Sequence, residues 1–168
     1  MLVDYFEGDD IMKIIENSVI FPLPSIELIK REEKMWRILL PKSYVDFIQR
    51  SNGGKPVERC FICNNRHYAI DRFLCILEDP EEHELGMYDI DVVLTQIEDR
   101  LSDNPDLVGI ELLPIATLFA GDFVCLDYKS SKDNPGICVW SHEESEQDMP
   151  VTYFVADTFE KFCEMLID

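Results

Sequence analysis

Cys60, Cys63 and His67 form the one metal-like spacing in the sequence, a Cys-x-x-Cys pair followed closely by an imidazole. A zinc knuckle needs a turn between its cysteines so that both sulfurs face one ion. Here Phe61 and Ile62 stand between them, and both residue types favour strands. In an extended strand, residues i and i+3 point to opposite faces. The thiols are therefore read as packing groups, and neither a metal site nor any cofactor is expected. The same geometry argues against a thioredoxin-type redox pair, which sits at a helix N-terminus. A Gly-x-Ser-x-Gly nucleophile elbow and a Gly-x-x-x-x-Gly-Lys phosphate loop are both missing. His67, His83 and His142 have the chemistry of general bases. However, His83 stands among Glu81, Glu82 and Glu84, and His142 follows Trp140 at the end of an apolar run. No residue is assigned a catalytic role, and the missing grouping disfavours an enzyme.

Carboxylates dominate what remains. The chain has 34 acidic and 15 basic side chains over 168 residues, for a formal charge of -19. Such a balance disfavours DNA, RNA or an anionic membrane as ligand, because phosphate binding needs Lys and Arg to displace counterions. It suits a basic protein partner, and it also secures solubility. The acids crowd between Glu78 and Glu111, where Arg100 is the lone base. Within that stretch Glu78, Asp79, Glu81, Glu82, Glu84, Tyr88, Asp89 and Asp91 are the candidate partner-binding residues. Leu85, Met87 and Tyr88 interleave with the carboxylates, a composition closer to an interface than to a purely solvated face; a solvated face is the alternative. A second acidic cluster, Glu143, Glu144, Glu146 and Asp148, follows Trp140. The Asp-x-Asp-x-Asp-Gly spacing of a calcium loop is absent. The first residues lack a basic region followed by an apolar run, and no apolar stretch reaches the length of a membrane span. A cytoplasmic protein with reduced cysteines is expected.

The elements that must position these groups are legible from periodicity and punctuation. Asp9 and Asp10 suit the cap of a short helix with Ile11, Ile14 and Ile15 on one face. Ser25 suits the cap of a second helix, with Glu27 in its first turn and Ile26, Ile29 and Trp36 inward. Pro41 opens a third helix in which Tyr44, Phe47 and Ile48 share a face, and Asn52-Gly53-Gly54 ends it. Residues 59–63 and 67–70 flank Asn64-Asn65-Arg66 as a hairpin, and residues 73–77 read as a further strand. Asp89 suits the cap of a helix with Ile90, Val93, Leu94, Ile97 and Leu101 inward, terminated at Asn104-Pro105. Residues 123–128 and 137–140 form a second hairpin, 151–155 another strand, and Thr158 starts a closing helix with Phe159, Phe162, Cys163 and Leu166 on one stripe. Trp140 is expected against Phe159 or Phe162. Adjacent hairpins without regular βαβ alternation imply a single α+β domain, mainly antiparallel sheet with peripheral helices, over residues 1–168.

Four segments in this order resemble the SUKH superfamily, the domain of Smi/Knr cell-wall regulators and of bacterial immunity proteins. They are Leu40-Pro41-Lys42-Ser43-Tyr44-Val45-Asp46-Phe47-Ile48 with Asn52-Gly53-Gly54, the run from Leu113 through Gly121 to Tyr128, the strand from Gly136 to His142, and the helix from Val155 to Phe162. The resemblance runs from about Ile26 to Ile167 and leaves residues 1–25 unmatched. Asp122 stands where many relatives carry Asn. The resemblance implies a SUKH-like fold and a non-enzymatic binding domain. In its bacterial branch, it implies an immunity protein that neutralises a polymorphic toxin of nuclease or deaminase type, a basic domain encoded by a neighbouring gene. The alternative is an intracellular scaffold or regulatory interaction domain of the Smi/Knr type.

Overall fold

In the computed structural model, described here for residues 11–168, the chain alternates short strands and helices. In order they are β1 (Ile14–Ile15), α1 (Ile26–Trp36), α2 (Lys42–Ser51), β2 (Lys55–Pro56), β3 (Cys60–Cys63), β4 (Arg66–Phe73), α3 (Ile90–Ile97), β5 (Leu112–Leu118), β6 (Phe123–Asp127), β7 (Gly136–Trp140), β8 (Thr152–Ala156) and α4 (Phe159–Glu164). Strands β3 to β8 form one six-stranded antiparallel sheet in sequence order, and β1 pairs with β2 in a separate two-stranded sheet. This is the expected α+β architecture.

Local chemistry explains most helix starts. The Ser25 hydroxyl accepts the Leu28 N–H, Thr158 accepts the Lys161 N–H, and Asp89 accepts from Asp91 and Val92. Gly53 ends the α2 corner with φ +66, and a Cβ there would lie 2.6 Å from the Ile20 side chain. Asn64 and Asn65 both take positive φ, the conformation of a two-residue primed hairpin turn. Arg66 therefore belongs to β4 and pairs with Cys63.

The centre of the sheet is covered on both faces. Strand β5 is buried almost throughout, and β6 and β7 nearly so, which is why they read as unbroken apolar runs. On one side Tyr44 and Phe47 of α2 meet Phe159 of α4 and Phe73 of β4, with ring centroids 4.8–5.6 Å apart for Phe47–Phe73, Tyr44–Phe159 and Phe47–Phe159. Phe162 meets Phe61 edge-on at 5.3 Å. The outer strands approach each other, since the Cys63 thiol lies 3.3 Å from the Phe154 carbonyl. Ile167 exchanges two backbone hydrogen bonds with Cys60 and so covers part of the β3 edge.

Several expectations are corrected. The helix read around Ile11, Ile14 and Ile15 is instead β1, paired with residues distant in sequence; its proposed caps, Asp9 and Asp10, lie outside the described residues. Ile26 is exposed, whereas Leu28, Ile29 and Trp36 are buried. The strand read at 73–77 stops at Phe73, after which Cys75 makes only an isolated bridge to Asp89. The Asp89-capped helix, α3, ends at Ile97 rather than at Asn104-Pro105 and is followed by a 3-10 turn to Arg100. Trp140 is fully buried, but its ring neighbours are Phe123 and His142 rather than Phe159 or Phe162. The Arg100 guanidinium lies 5.0 Å over its face, and its indole N–H donates to the Arg100 carbonyl at 2.9 Å.

Candidate functional site

Asp89 organises the acidic segment from within. Its carboxylate accepts the Leu77, Asp91 and Val92 N–H groups at 2.9, 2.9 and 3.3 Å while the residue is only 3% exposed. Burial pushes this carboxyl up from its ordinary range and the backbone donors oppose that shift. Asp89 thus holds α3 to the preceding chain and does not reach the surface. Asp91 is similarly engaged, accepting the Trp36 indole N–H at 2.8 Å and so tying α3 to α1. Tyr88 is half-buried, with the Arg72 guanidinium 4.8 Å over its ring.

The remaining candidates face water. Glu78, Asp79, Glu81, Glu82 and Glu84 are exposed, and Met87 is 56% exposed beside them. Arg31 forms an ion pair with Glu78 at 3.0 Å. The segment folds into two 3-10 turns, Pro80–Glu82 and Gly86–Tyr88. Gly86 sits so close to the Pro80 carbonyl that a Cβ would fall 1.8 Å from its oxygen. His83 clamps the middle: Nδ1 accepts the Leu85 N–H at 2.9 Å, which leaves Nε2–H to donate to the Phe21 carbonyl at 2.7 Å. The imidazole therefore has a structural job among the carboxylates rather than a solvated one.

Two supporting residues carried no sequence signal beyond their type. Arg72 is 6% exposed and donates to the Gly53 and Ser18 carbonyls at 3.0 and 2.8 Å. Asn52, read only as part of a helix stop, is wholly buried. Its amide donates to the Ile20, Pro22 and Ile76 carbonyls and its oxygen accepts the Ile76 N–H. Asn52 thus fixes the chain at Ile76, just before the acidic segment, and Arg72 stacks on Tyr88 within it.

A concave acidic feature lies elsewhere. A cavity of about 350 Å³ is lined by Glu98, Asp99, Glu111 and Asp148, with Ser102 and Asn104. The second acidic cluster reaches it through the Asp148 N–H, which donates to the Asp99 carbonyl at 2.8 Å. Arg100, the lone base of the acidic stretch, does not neutralise these carboxylates. Its guanidinium donates to the Ser145 and His142 carbonyls and holds the loop after β7 in place. The His142 N–H in turn donates to Asp122 at 2.8 Å.

Cys60 and Cys63 lie on one strand whose burial alternates, Phe61 and Cys63 inward, Cys60 and Ile62 outward. The two sulfurs thus occupy opposite faces. Burial also pushes the Cys63, Cys75 and Cys163 thiols up, to about 12 for Cys75, the opposite of an activated nucleophile. No helix among the described residues is long and apolar enough to cross a membrane.

No curated protein and no solved structure matches the chain. A family model does: SUKH_6, described as SMI1-KNR4 cell-wall, over residues 26–163. Domains of this family serve protein interaction and are generally non-enzymatic. The match begins at the first residue of α1, spans the whole antiparallel meander and ends within α4, so the chain belongs to the SUKH family.

Proposed function

We propose that this protein is a non-enzymatic immunity factor that binds and neutralises a cognate toxin of nuclease or deaminase type, a basic domain encoded by a neighbouring gene, in the cytoplasm. One observation carries the reading. The exposed carboxylates of Glu78, Asp79, Glu81, Glu82 and Glu84 sit on a segment whose backbone is clamped by His83, Gly86 and Asp89. A toxin that acts on nucleic acid presents cations to its substrate, and a fixed anionic surface competes for that cleft with little loop-ordering cost. Tyr88, Asp89 and Asp91 support the surface from beneath, while Met87 supplies an exposed apolar contact. The cavity lined by Glu98, Asp99, Glu111 and Asp148 suits an inserted Lys or Arg side chain.

Long-range attraction acts chiefly on association, over a Debye length of about 8 Å at physiological salt. Replacing Glu81, Glu82 and Glu84 together by Lys is expected to slow association with the toxin domain about tenfold and to flatten its salt dependence. The unfolding midpoint should hold, since exposed charges contribute little to folding. Stopped-flow binding measures this; an on-rate indifferent to salt and to the triple reversal would remove the segment from the interface. The cell-wall wording of the family description favours a second reading, an intracellular scaffold or regulator of the Smi/Knr type. The neighbouring gene separates the two, as does the partner recovered by pull-down from the source cell.

A further inference from the structure

Basic side chains are scarce in this chain, 15 against 34 acids, yet several converge on one place. An open cavity of about 640 Å³ is lined by Lys30, Lys34 and Arg37, by Lys132 from the β6–β7 loop, and by Ile38 and Leu39. Lys30, Lys34 and Arg37 recur at i, i+4 and i+7 and so share one face of α1 and its cap. Arg37 takes the left-handed conformation that ends α1, which turns Ile38 into the core and leaves Leu39 58% exposed. The floor is fixed. The Leu39 N–H donates to the Lys132 carbonyl at 3.0 Å, and the Leu39 carbonyl accepts the Tyr128 hydroxyl at 2.8 Å.

Two carboxylates, Glu33 and Asp133, also line the cavity, and each accepts a hydrogen bond from a neutral neighbour. Glu33 accepts the Leu40 N–H at 2.8 Å and Asp133 accepts the Ser131 hydroxyl at 2.8 Å. Among the described residues, the side chains of Lys30, Lys34 and Arg37 make no ion pair or hydrogen bond, and Lys132 reaches only the Ile110 carbonyl, at 3.5 Å. Lys34 and Arg37 complement the negative end of the α1 dipole. Lys30 lies further back along the helix, and Lys132 comes from another element, so the dipole does not account for the cluster. The cavity holds four cations against two carboxylates in a chain of net charge -19, and this local excess is complementary to an anion from outside.

We propose that this cavity docks a short acidic segment of a partner protein, its carboxylates on Lys30, Lys34, Arg37 and Lys132 and an aliphatic or aromatic side chain on Leu39. The volume lies in the range of small-ligand pockets, about 300–1,000 Å³, and suits a few residues rather than a folded domain. Nucleic acid is disfavoured because it needs an extended track of cations, whereas the rest of this chain is acidic.

The test is a titration of the full chain, labelled with nitrogen-15, with a synthetic peptide of alternating glutamate and leucine. Saturable binding is expected, with the largest amide shifts at Lys30, Lys34, Leu39 and Lys132. Lys30→Glu with Lys34→Glu should weaken it about tenfold or more, at an unchanged unfolding midpoint. Leu39→Asn should weaken it as well, and a peptide with serine in place of leucine should bind less tightly. Absence of saturable binding, or shifts centred elsewhere, would overturn the proposal. So would stronger binding of a thymidine oligonucleotide at the same residues. Salt-sensitive self-association in sedimentation that buries these residues would identify the occupant as a second copy and equally overturn it.

Discussion

Glu32 sits on α1 with 5% of its surface exposed, and its Oε2 finds no donor. Burial first, then the neighbouring Asp91 carboxylate, push its carboxyl up to about 8, while Arg31 pulls the other way. At neutral pH it is therefore protonated and able to donate to Asp91. The ordinary value is 4.5, so below about that pH both folded and unfolded chains hold the proton and the contribution to stability is complete. As pH climbs from about 4.5 through about 8, the native carboxyl keeps a proton the unfolded one has released, and that contribution is lost. Glu32→Gln keeps a donor and removes the ionisation. The variant should be more stable than the parent at pH 9 by roughly 1–3 kcal/mol, since a tenfold change in proton affinity on folding is worth about 1.4 kcal/mol. At pH 5 the two should be nearly matched. Urea unfolding at the two pH values measures this; parallel pH profiles would contradict it.

At the level of elements, the acidic segment and α3 move as one piece only if Asp89 is the joint between them. Asp89→Ala should cost about 2 kcal/mol or more, from the lost helix cap and the orphaned Leu77 N–H. Chemical denaturation would show it. A variant of full stability with slowed partner association would instead return Asp89 to the contact surface. The helix caps at Ser25, Asp89 and Thr158 were legible because they depend on residues one turn apart. The burial of Asp89 was not, since a cap can face water or the core, and only packing against Leu77 separates it from Glu81 and Glu84. Strand β5 lacks a clean strand signal, because Pro114 interrupts it; the register shift between Pro114 and Ala116 accommodates the ring. Strand β1 and the surroundings of Trp140 escaped for another reason. Their partners, Lys55-Pro56 and Arg100, lie some 40 residues away in the chain, beyond any local pattern. The acidic cavity joins residues on both sides of β5 to β7, so no local pattern marks Glu98, Asp99 and Glu111 of the acidic run as neighbours of Asp148 from the second cluster.

Across the whole molecule, the charge of -19 is unevenly spent. Exposed carboxylates line the segment before α3 and further carboxylates line the cavity behind it, whereas α1 carries a stripe of Lys30, Lys34 and Arg37. Such a distribution would steer the proposed basic partner to one region and leave a small cationic site for the proposed acidic one. The SUKH scaffold provides the rigid frame, and the carboxylates supply the specificity proposed for it. Titrating the purified chain into a turnover assay of the toxin domain proposed to be encoded beside its gene, at about 0.15 M salt, tests the proposed neutralisation most directly. Activity should fall to background near one equivalent of the chain, and the Glu81, Glu82 and Glu84 reversal should require a large excess. Full toxin activity with the unmodified chain present well above one equivalent would contradict the assignment.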